Sequence, residues 1–283
     1  MQRKVSLNLL FYIPLVFILM FSKNLLFAQE KIELTLAECI KMALDNNRNL
    51  PNISSNKIAE RQAEKKEETV YKIKTLYYDL LLTKELIKLA EDVKSNFEKA
   101  YKKADEKLES EDPEITQQDV LKLKLGLAGS KDELNSLDYE EKEIIESLKY
   151  ELGISRNKKF DIKTRRLRQE KIDLKKIKRD FDLTFSDKSS LKKKEGILRI
   201  TKVFLKINKE ENGIKIAREA RKVSRGLLVT NLANFDFGIG EAKDLFESLF
   251  IYMRSVKNYF KKVHGYNLAI AELSYETGKN SSN

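Results

Sequence analysis

Asp244-Leu-Phe-Glu-Ser-Leu-Phe-Ile-Tyr-Met-Arg-Ser-Val-Lys-Asn-Tyr-Phe-Lys-Lys-Val-His-Gly-Tyr-Asn-Leu-Ala-Ile-Ala-Glu-Leu-Ser-Tyr-Glu-Thr-Gly278 is the stretch whose spacing decides the fold. Its apolar positions fall at Leu245, Leu249, Tyr252, Val256, Tyr259, Val263, Tyr266, Ile270 and Leu273, so the steps alternate between four and three without a break. That alternation is the seam of a long helix packed along its whole length against other helices. One set of seam positions reads Leu, Tyr, Tyr, Tyr, Leu and the other Leu, Val, Val, Ile. Rings at every seventh residue suit a wide helical assembly better than a tight two-stranded zipper. A flanking row of Phe246, Phe250, Met253 and Phe260 is apolar as well, which predicts neighbours on two sides.

The same rhythm recurs upstream at Leu76, Leu80, Thr83, Ile87, Ala90, Lys94, Phe97, Tyr101, Ala104 and Leu108, predicting a helix from Val70 to Leu108. A turn spans Glu109 to Asp119, where Thr116 and Asp119 can cap the next helix. That helix runs through Leu127, Leu134, Leu137, Ile144 and Leu148 to Tyr150 and stops at Gly153. Residues Ser155 to Lys194 are strongly basic; Phe160, Leu167, Ile172, Leu174 and Ile177 fit one or two short helices, while Phe181 to Phe185 alternates like a strand. Helical spacing returns from Ile197 to about Asn234, and Phe235-Asp-Phe-Gly-Ile-Gly240 turns the chain into the opening helix. Near the N-terminus, Leu34 to Leu44 is a short amphipathic helix with a Thr35/Glu38 capping box, ended by Asn46, Asn47, Asn49 and Pro51. Asn52 to Glu68 is polar and has no strand alternation.

The two halves match at an offset of 125 residues: Leu148-Lys-Tyr-Glu-Leu-Gly153 lies over Leu273-Ser-Tyr-Glu-Thr-Gly278, and Asp119-Val-Leu121 over Asp244-Leu-Phe246. The spacing predicts two tandem repeats, 31–154 with a helical hairpin over 70–150 and 155–278 with one over 197–278, before a polar tail at 279–283. Tandem hairpins that cannot bury their own faces stack side by side or oligomerise.

Composition agrees with this: 35% charged residues with only 3 Pro and 10 Gly among 283 is a long-helix mixture, so the expected class is all-α. Residues 1–28 read as an export signal, with Arg3 and Lys4 before an apolar run from Leu9 to Phe21; an uncleaved anchor is the alternative. Cys39 is the single cysteine, which excludes an internal disulfide. Without Arg3, Lys4 and Lys23, 52 basic residues face 44 acidic ones, a net of +8 that reads as a solvated surface with both signs along the helices. Enzyme signals are poor. His264 is the lone histidine, no zinc constellation exists, and Gly238-Ile-Gly240 lacks the third glycine of a dinucleotide loop. Carboxylate pairs such as Asp105 and Glu106 fall on solvated helix faces. No catalytic residue, metal or cofactor is expected. Phe235, Phe237 and Ile239 place apolar groups in a glycine-containing turn, either as an exposed contact site or folded back onto the hairpin.

Leu34, Thr35, Leu36, Glu38, Ile40, Ala43, Leu44, Asn47 and Leu50 fit the mature start of the TolC family of outer-membrane efflux proteins, with Cys39 for Ala and Arg48 for Pro. The second hairpin resembles that family too, through Gly238, Gly240, Asp244, Leu245 and Phe246 at the tip, then Tyr266 to Leu273 and a closing Gly278. The resemblance implies a homotrimer of duplicated protomers: a periplasmic α-helical barrel continued by a β-barrel in the outer membrane. Such a conduit works with a periplasmic adaptor and an inner-membrane pump. It gives the tip residues Phe237, Gly238, Gly240 and Asp244, and by the repeat Pro113 and Asp119, a role in meeting the adaptor. The chain departs from the family in one respect. Members carry a pair of alternating strands in each half, and no four such strands of about 9–11 residues are found here. A soluble periplasmic coiled-coil scaffold or chaperone is therefore the second expectation. Nucleic-acid binding is disfavoured by the export signal.

Overall fold

Helix ends in this chain are set by a few capping side chains and left-handed glycines. The computed structural model describes residues 31–47, 56–111, 115–184 and 191–278; the expected signal segment, Pro113 and the 279–283 tail lie outside them. Along the described chain come β1 (Ile32–Leu34), α1 (Leu36–Asn47), α2 (Asn56–Glu109), α3 (Gln117–Leu152), β2 (Phe160–Ile162), α4 (Leu174–Thr184), α5 (Leu191–Phe237) and α6 (Ala242–Thr277). Thr35 and Glu38 form the expected box at the start of α1: the Thr35 N–H donates to Glu38 Oε2 at 2.7 Å and the Glu38 N–H to Thr35 Oγ1 at 3.3 Å. Thr116 and Asp119 do the same for α3. Gly153, at φ 68°, ends α3 with its N–H on the Tyr150 carbonyl and the Ile154 N–H on the Lys149 carbonyl. That left-handed turn is a conformation side chains resist.

The long helices pair as two antiparallel hairpins, α2 with α3 and α5 with α6, and the hairpins join where α2 packs on α6. The layer thus runs α3–α2–α6–α5, with α3 and α5 on the flanks. Seven of the nine seam positions of α6 are buried: Leu245, Leu249, Val256, Val263, Tyr266, Ile270 and Leu273. Tyr252 and Tyr259 are half-buried against the same core. On α2 the seam residues Leu80, Ala90, Phe97 and Ala104 are buried, and so is a second row of Ile73, Tyr77, Leu89, Val93 and Ala100. Two buried rows are what two neighbours require. The Phe97 ring meets Phe246 at 5.9 Å and Phe250 at 5.7 Å, bridging α2 to α6. Ion pairs follow the same joints. Lys72–Glu151 and Lys84–Glu141 link α2 to α3, Lys206–Glu272 links α5 to α6, and Lys257–Glu133 links α6 to α3, each at 2.6 Å. His264 spans the seam to Asp79 at 2.7 Å. Partly exposed pairs of this kind are worth about 0–1 kcal/mol each, so they set register more than stability.

Three sequence expectations are corrected. α2 begins at Asn56, not Val70, because Lys, Ala, Glu, Arg and Gln through this stretch favour helix and no breaker interrupts them. Phe181 to Thr184 belongs to helix α4, so its strand-like alternation was too short to decide against the helix that Leu174 and Ile177 begin. Two short strands were missed altogether. β1 and β2 pair in parallel, Ile32 opposite Phe160 and Leu34 opposite Ile162, three residues being too few to show a period. They are the only strands among the described residues, where they form a two-stranded sheet and no barrel.

From β2 the chain crosses the outside of α2 and α6 as an irregular strap, residues 163–173. Tyr77 Oη donates to Thr164 Oγ1 at 2.7 Å, and the Leu167 N–H to Glu85 Oε1 at 3.0 Å. Asn267, fully buried, accepts from the Glu170 N–H at 3.0 Å and donates to the Arg168 carbonyl at 2.8 Å. Only eight residues, 48–55, separate α1 from α2, and six, 185–190, separate α4 from α5. Among the described residues no helix is long and apolar enough to cross a membrane.

Gly126 and Gly129 of α3 test the α2–α3 joint. A Cβ at Gly126 would stand 2.5 Å from the Phe97 ring, whereas one at Gly129 meets nothing within 4 Å. In urea unfolding followed by far-UV circular dichroism, Gly129→Ala is expected to stabilise by about 0.5–1 kcal/mol, the ordinary helix gain. Gly126→Ala is expected to lose stability instead. Equal gains would contradict the seating of Phe97.

Candidate functional site at the hairpin tips

The second tip is built from the last turn of α5. Gly238, at φ 75°, donates to the Phe235 carbonyl at 3.2 Å, and the Ile239 N–H reaches the Asn234 carbonyl at 3.0 Å. This pair of bonds closes the helix C-terminus and requires the left-handed residue. Gly240 is glycine for another reason: its N–H bonds Asn234 at 3.1 Å, and a Cβ there would lie 2.7 Å from Asn234 Cβ. The three apolar residues of the turn divide. Phe235 is buried, while Phe237 is 81% and Ile239 77% exposed, so one folds back onto the hairpin and two stand in solvent. Asp244 lies exposed in the first turn of α6, where its charge complements the helix N-terminus, and makes no cap bond.

The first tip is chemically different. Glu111 takes the left-handed conformation, φ 57°, that Gly238 takes in the second. Asp119, the counterpart of Asp244 in the 125-residue offset, is held by Thr116, whose hydroxyl donates to Asp119 Oδ2 at 2.5 Å. Pro113 lies outside the described residues. The structure thus brings Phe237, Gly238, Gly240 and Asp244 together at one turn and places Asp119 at the other.

One residue near the tips had no signal in the sequence. Lys103 of α2 donates to the Asp236 carbonyl at 2.6 Å and lies 3.3 Å from its carboxylate. The same ammonium stands 5.6 Å from the Phe235 ring centroid. It ties the first hairpin to the second beside the exposed Phe237. On its helix it reads as one of many surface lysines.

At mid-length the titratable groups are structural. Glu38 is held down at about 2, first by the Thr35 backbone N–H, then by its hydroxyl and by Lys163. Burial pushes the Asp161 carboxyl up, but hydrogen bonds from Lys31 at 2.7 Å and Lys84 at 3.0 Å outweigh it and leave it below the usual range. Burial pushes the Cys39 thiol up to about 12, so it carries no thiolate at neutral pH. No three potential metal ligands cluster among the described residues.

No protein-family model matches the chain, and no curated protein matches it. Solved structures do. A structure of CusC, described in terms of folding and transmembrane channel formation, aligns over 87% of this chain and 74% of its own at a TM-score of 0.64 and 9% identity. A membrane protein from Pseudomonas aeruginosa aligns over 79% and 69% with a TM-score of 0.62 and 9% identity. The outer-membrane channel OprN aligns over 87% and 70% with a TM-score of 0.60 and 10% identity. The fold is therefore TolC-like: long paired helical hairpins with very little strand.

Asp161 makes the mid-length joint acid-sensitive. A carboxylate held below its usual value contributes stability above that value, and the contribution disappears as pH falls through the folded-state one. In urea unfolding at pH 6, Asp161→Asn is expected to unfold at lower urea than the unaltered chain. Near pH 2 the two midpoints are expected to converge, because protonation has then removed the same bonds.

Proposed function

We propose that this chain is a TolC-like export component whose copies close into a helical conduit, a homotrimer working in the periplasm at the outer membrane with an adaptor and an inner-membrane pump. The observation that carries this reading is on the flanks of the layer. Leu121, Leu125 and Tyr139 on α3 and Leu198, Leu205, Ile216 and Val223 on α5 are large apolar side chains left more than half exposed. Setting the α3 flank of one copy against the α5 flank of the next covers both rows at once, and a head-to-tail contact repeated by rotation closes a ring. The likeness in fold to CusC and OprN supports the same arrangement. In this reading the chain comprises two repeats, 31–154 and 155–278, and the tips meet the adaptor through Phe237, Gly238, Gly240, Asp244, Pro113 and Asp119. Phe237 and Ile239 supply the apolar contact, and Gly238 and Gly240 shape the turn.

A second reading has one observation in its favour. Among the described residues the only strands are the three-residue β1 and β2, which suits a soluble periplasmic helical scaffold or chaperone. Fractionation separates the two. Release from the periplasm without detergent favours the scaffold, and retention with the outer membrane favours the conduit.

Two measurements test the conduit. Light scattering is expected to give a trimer mass, and Leu205→Glu with Val223→Glu to give a monomer with unchanged helical content. A monomeric parent chain would remove the ring. Pulldown from periplasm is expected to recover an adaptor from the parent chain and much less from Phe237→Asp with Ile239→Asp. These two positions are exposed and leave the left-handed Gly238 intact. Unchanged recovery would sink the tip assignment.

A further inference from the structure

We propose that the basic strap between β2 and α4 is a docking groove for an extended acidic peptide, a carboxylate-rich segment of a partner protein. Residues 156–179 hold twelve Lys and Arg against Asp161, Glu170 and Asp173, a local net of +9 in a chain whose total is +11. All twelve basic residues are exposed. The three carboxylates are engaged within the fold: Asp161 by Lys31 and Lys84, Glu170 by the Tyr78 hydroxyl, and Asp173 by the Lys176 N–H at 3.0 Å. Among the described residues, only Lys163 of the twelve has an ion-pair partner, Glu38 at 3.1 Å. Elsewhere the helices intersperse the two signs and pair them. Here the acids are used up internally and eleven cations face solvent together, a field that favours a negatively charged partner.

Shape narrows the partner. A groove of about 550 Å³ is lined by Tyr77, Tyr78 and Leu81 of α2 and by Arg165, Arg166, Arg168 and Glu170 of the strap, the Glu170 carboxylate being taken up by the Tyr78 hydroxyl. Three guanidinium forks within four residues, about 10 Å of chain, match the carboxylates of a short extended peptide, which each fork can hold through two hydrogen bonds. The tyrosine rings are 2% and 6% exposed, so they offer no stacking platform for the bases of a single-stranded nucleic acid. A flat lipid surface fits poorly too. Tyr77 lies 21 residues, about 32 Å of helix, from Asn56 at the start of α2, so the helix projects well past the strap. The groove lies between α1, α2 and the strap and includes no residue of the α3 and α5 flanks, so the inference stands apart from the conduit reading.

The test uses the full chain and fluorescence anisotropy of a labelled deca-glutamate peptide at about 0.15 M salt, where the Debye length is about 8 Å. Deca-glutamine, vesicles of equal parts phosphatidylglycerol and phosphatidylcholine, and a single-stranded DNA oligomer are the comparison probes. Saturable binding of deca-glutamate alone is expected. It should weaken at least about tenfold in Arg165→Gln/Arg166→Gln/Arg168→Gln, and clearly in the Lys-substituted triple variant, which keeps the charge but loses the fork. Lys158→Gln/Lys159→Gln should change it less than about threefold, because those charges lie outside the groove and act only through the screened field. Circular dichroism shows whether each variant stays folded. No peptide binding, equal loss in both sets of variants, an unaffected Lys-substituted triple, or tighter binding of vesicles or DNA would each overturn the proposal.

Discussion

The contact between α2 and α6 is the constraint on which the rest of the molecule depends. Each of these helices carries apolar residues around more of its circumference than its hairpin partner can cover: Ile73, Tyr77, Leu89 and Val93 beside the α2 seam, Phe246 and Phe260 beside that of α6. A single hairpin would leave one row of each in water. Burying both rows forces the hairpins side by side and sends α3 and α5 to the flanks. At the tips the same juxtaposition puts Lys103 against Asp236 and Phe235.

Charge is distributed according to what each region must do. Along the helices, lysines and glutamates alternate and meet across the joints at 2.6 Å, adding register at little gain in stability. At mid-length, Lys31, Lys84, Asp161, Glu38 and Lys163 lash the short parallel strand pair to α1 and α2. Beyond that knot the strap is held down by neutral bonds from Tyr77 and Asn267 and by Glu85, and of its own cations only Lys163 has an ion-pair partner among the described residues.

Much of this was legible in the residues, and the illegible parts have physical reasons. Long apolar seams repeat many times, so α6 and α2 were readable from spacing. Caps and stops at Thr35, Thr116, Gly153 and Gly278 act within one turn and were readable from local chemistry. The fourteen residues from Asn56 to Thr69 were not read as helix because nothing in them is apolar at the right period; propensity alone carries them. β1 and β2 owe their existence to a partner about 128 residues away, which no local pattern records. At the tip, spacing left Phe235, Phe237 and Ile239 alike. Only the closing of the α5 terminus by Gly238 separates the buried ring from the two exposed side chains.

The β1–β2 pair also carries a statement about time. The long helices are made of contacts close along the chain, which form early and rapidly. β1 precedes the first hairpin and β2 follows it, so the pairing of Ile32 with Phe160 closes a loop containing that whole hairpin. In a chain that emerges N-terminus first, β1 waits without its strand partner until residue 162 has arrived, whereas α1 meets α2 and α3 before then. Loop-closure entropy grows only slowly with length, so a preformed compact hairpin between the two strands makes the late closure inexpensive. The strand pair therefore acts as a latch on the first half: its two sides come together across the hairpin they enclose, before the second hairpin has emerged.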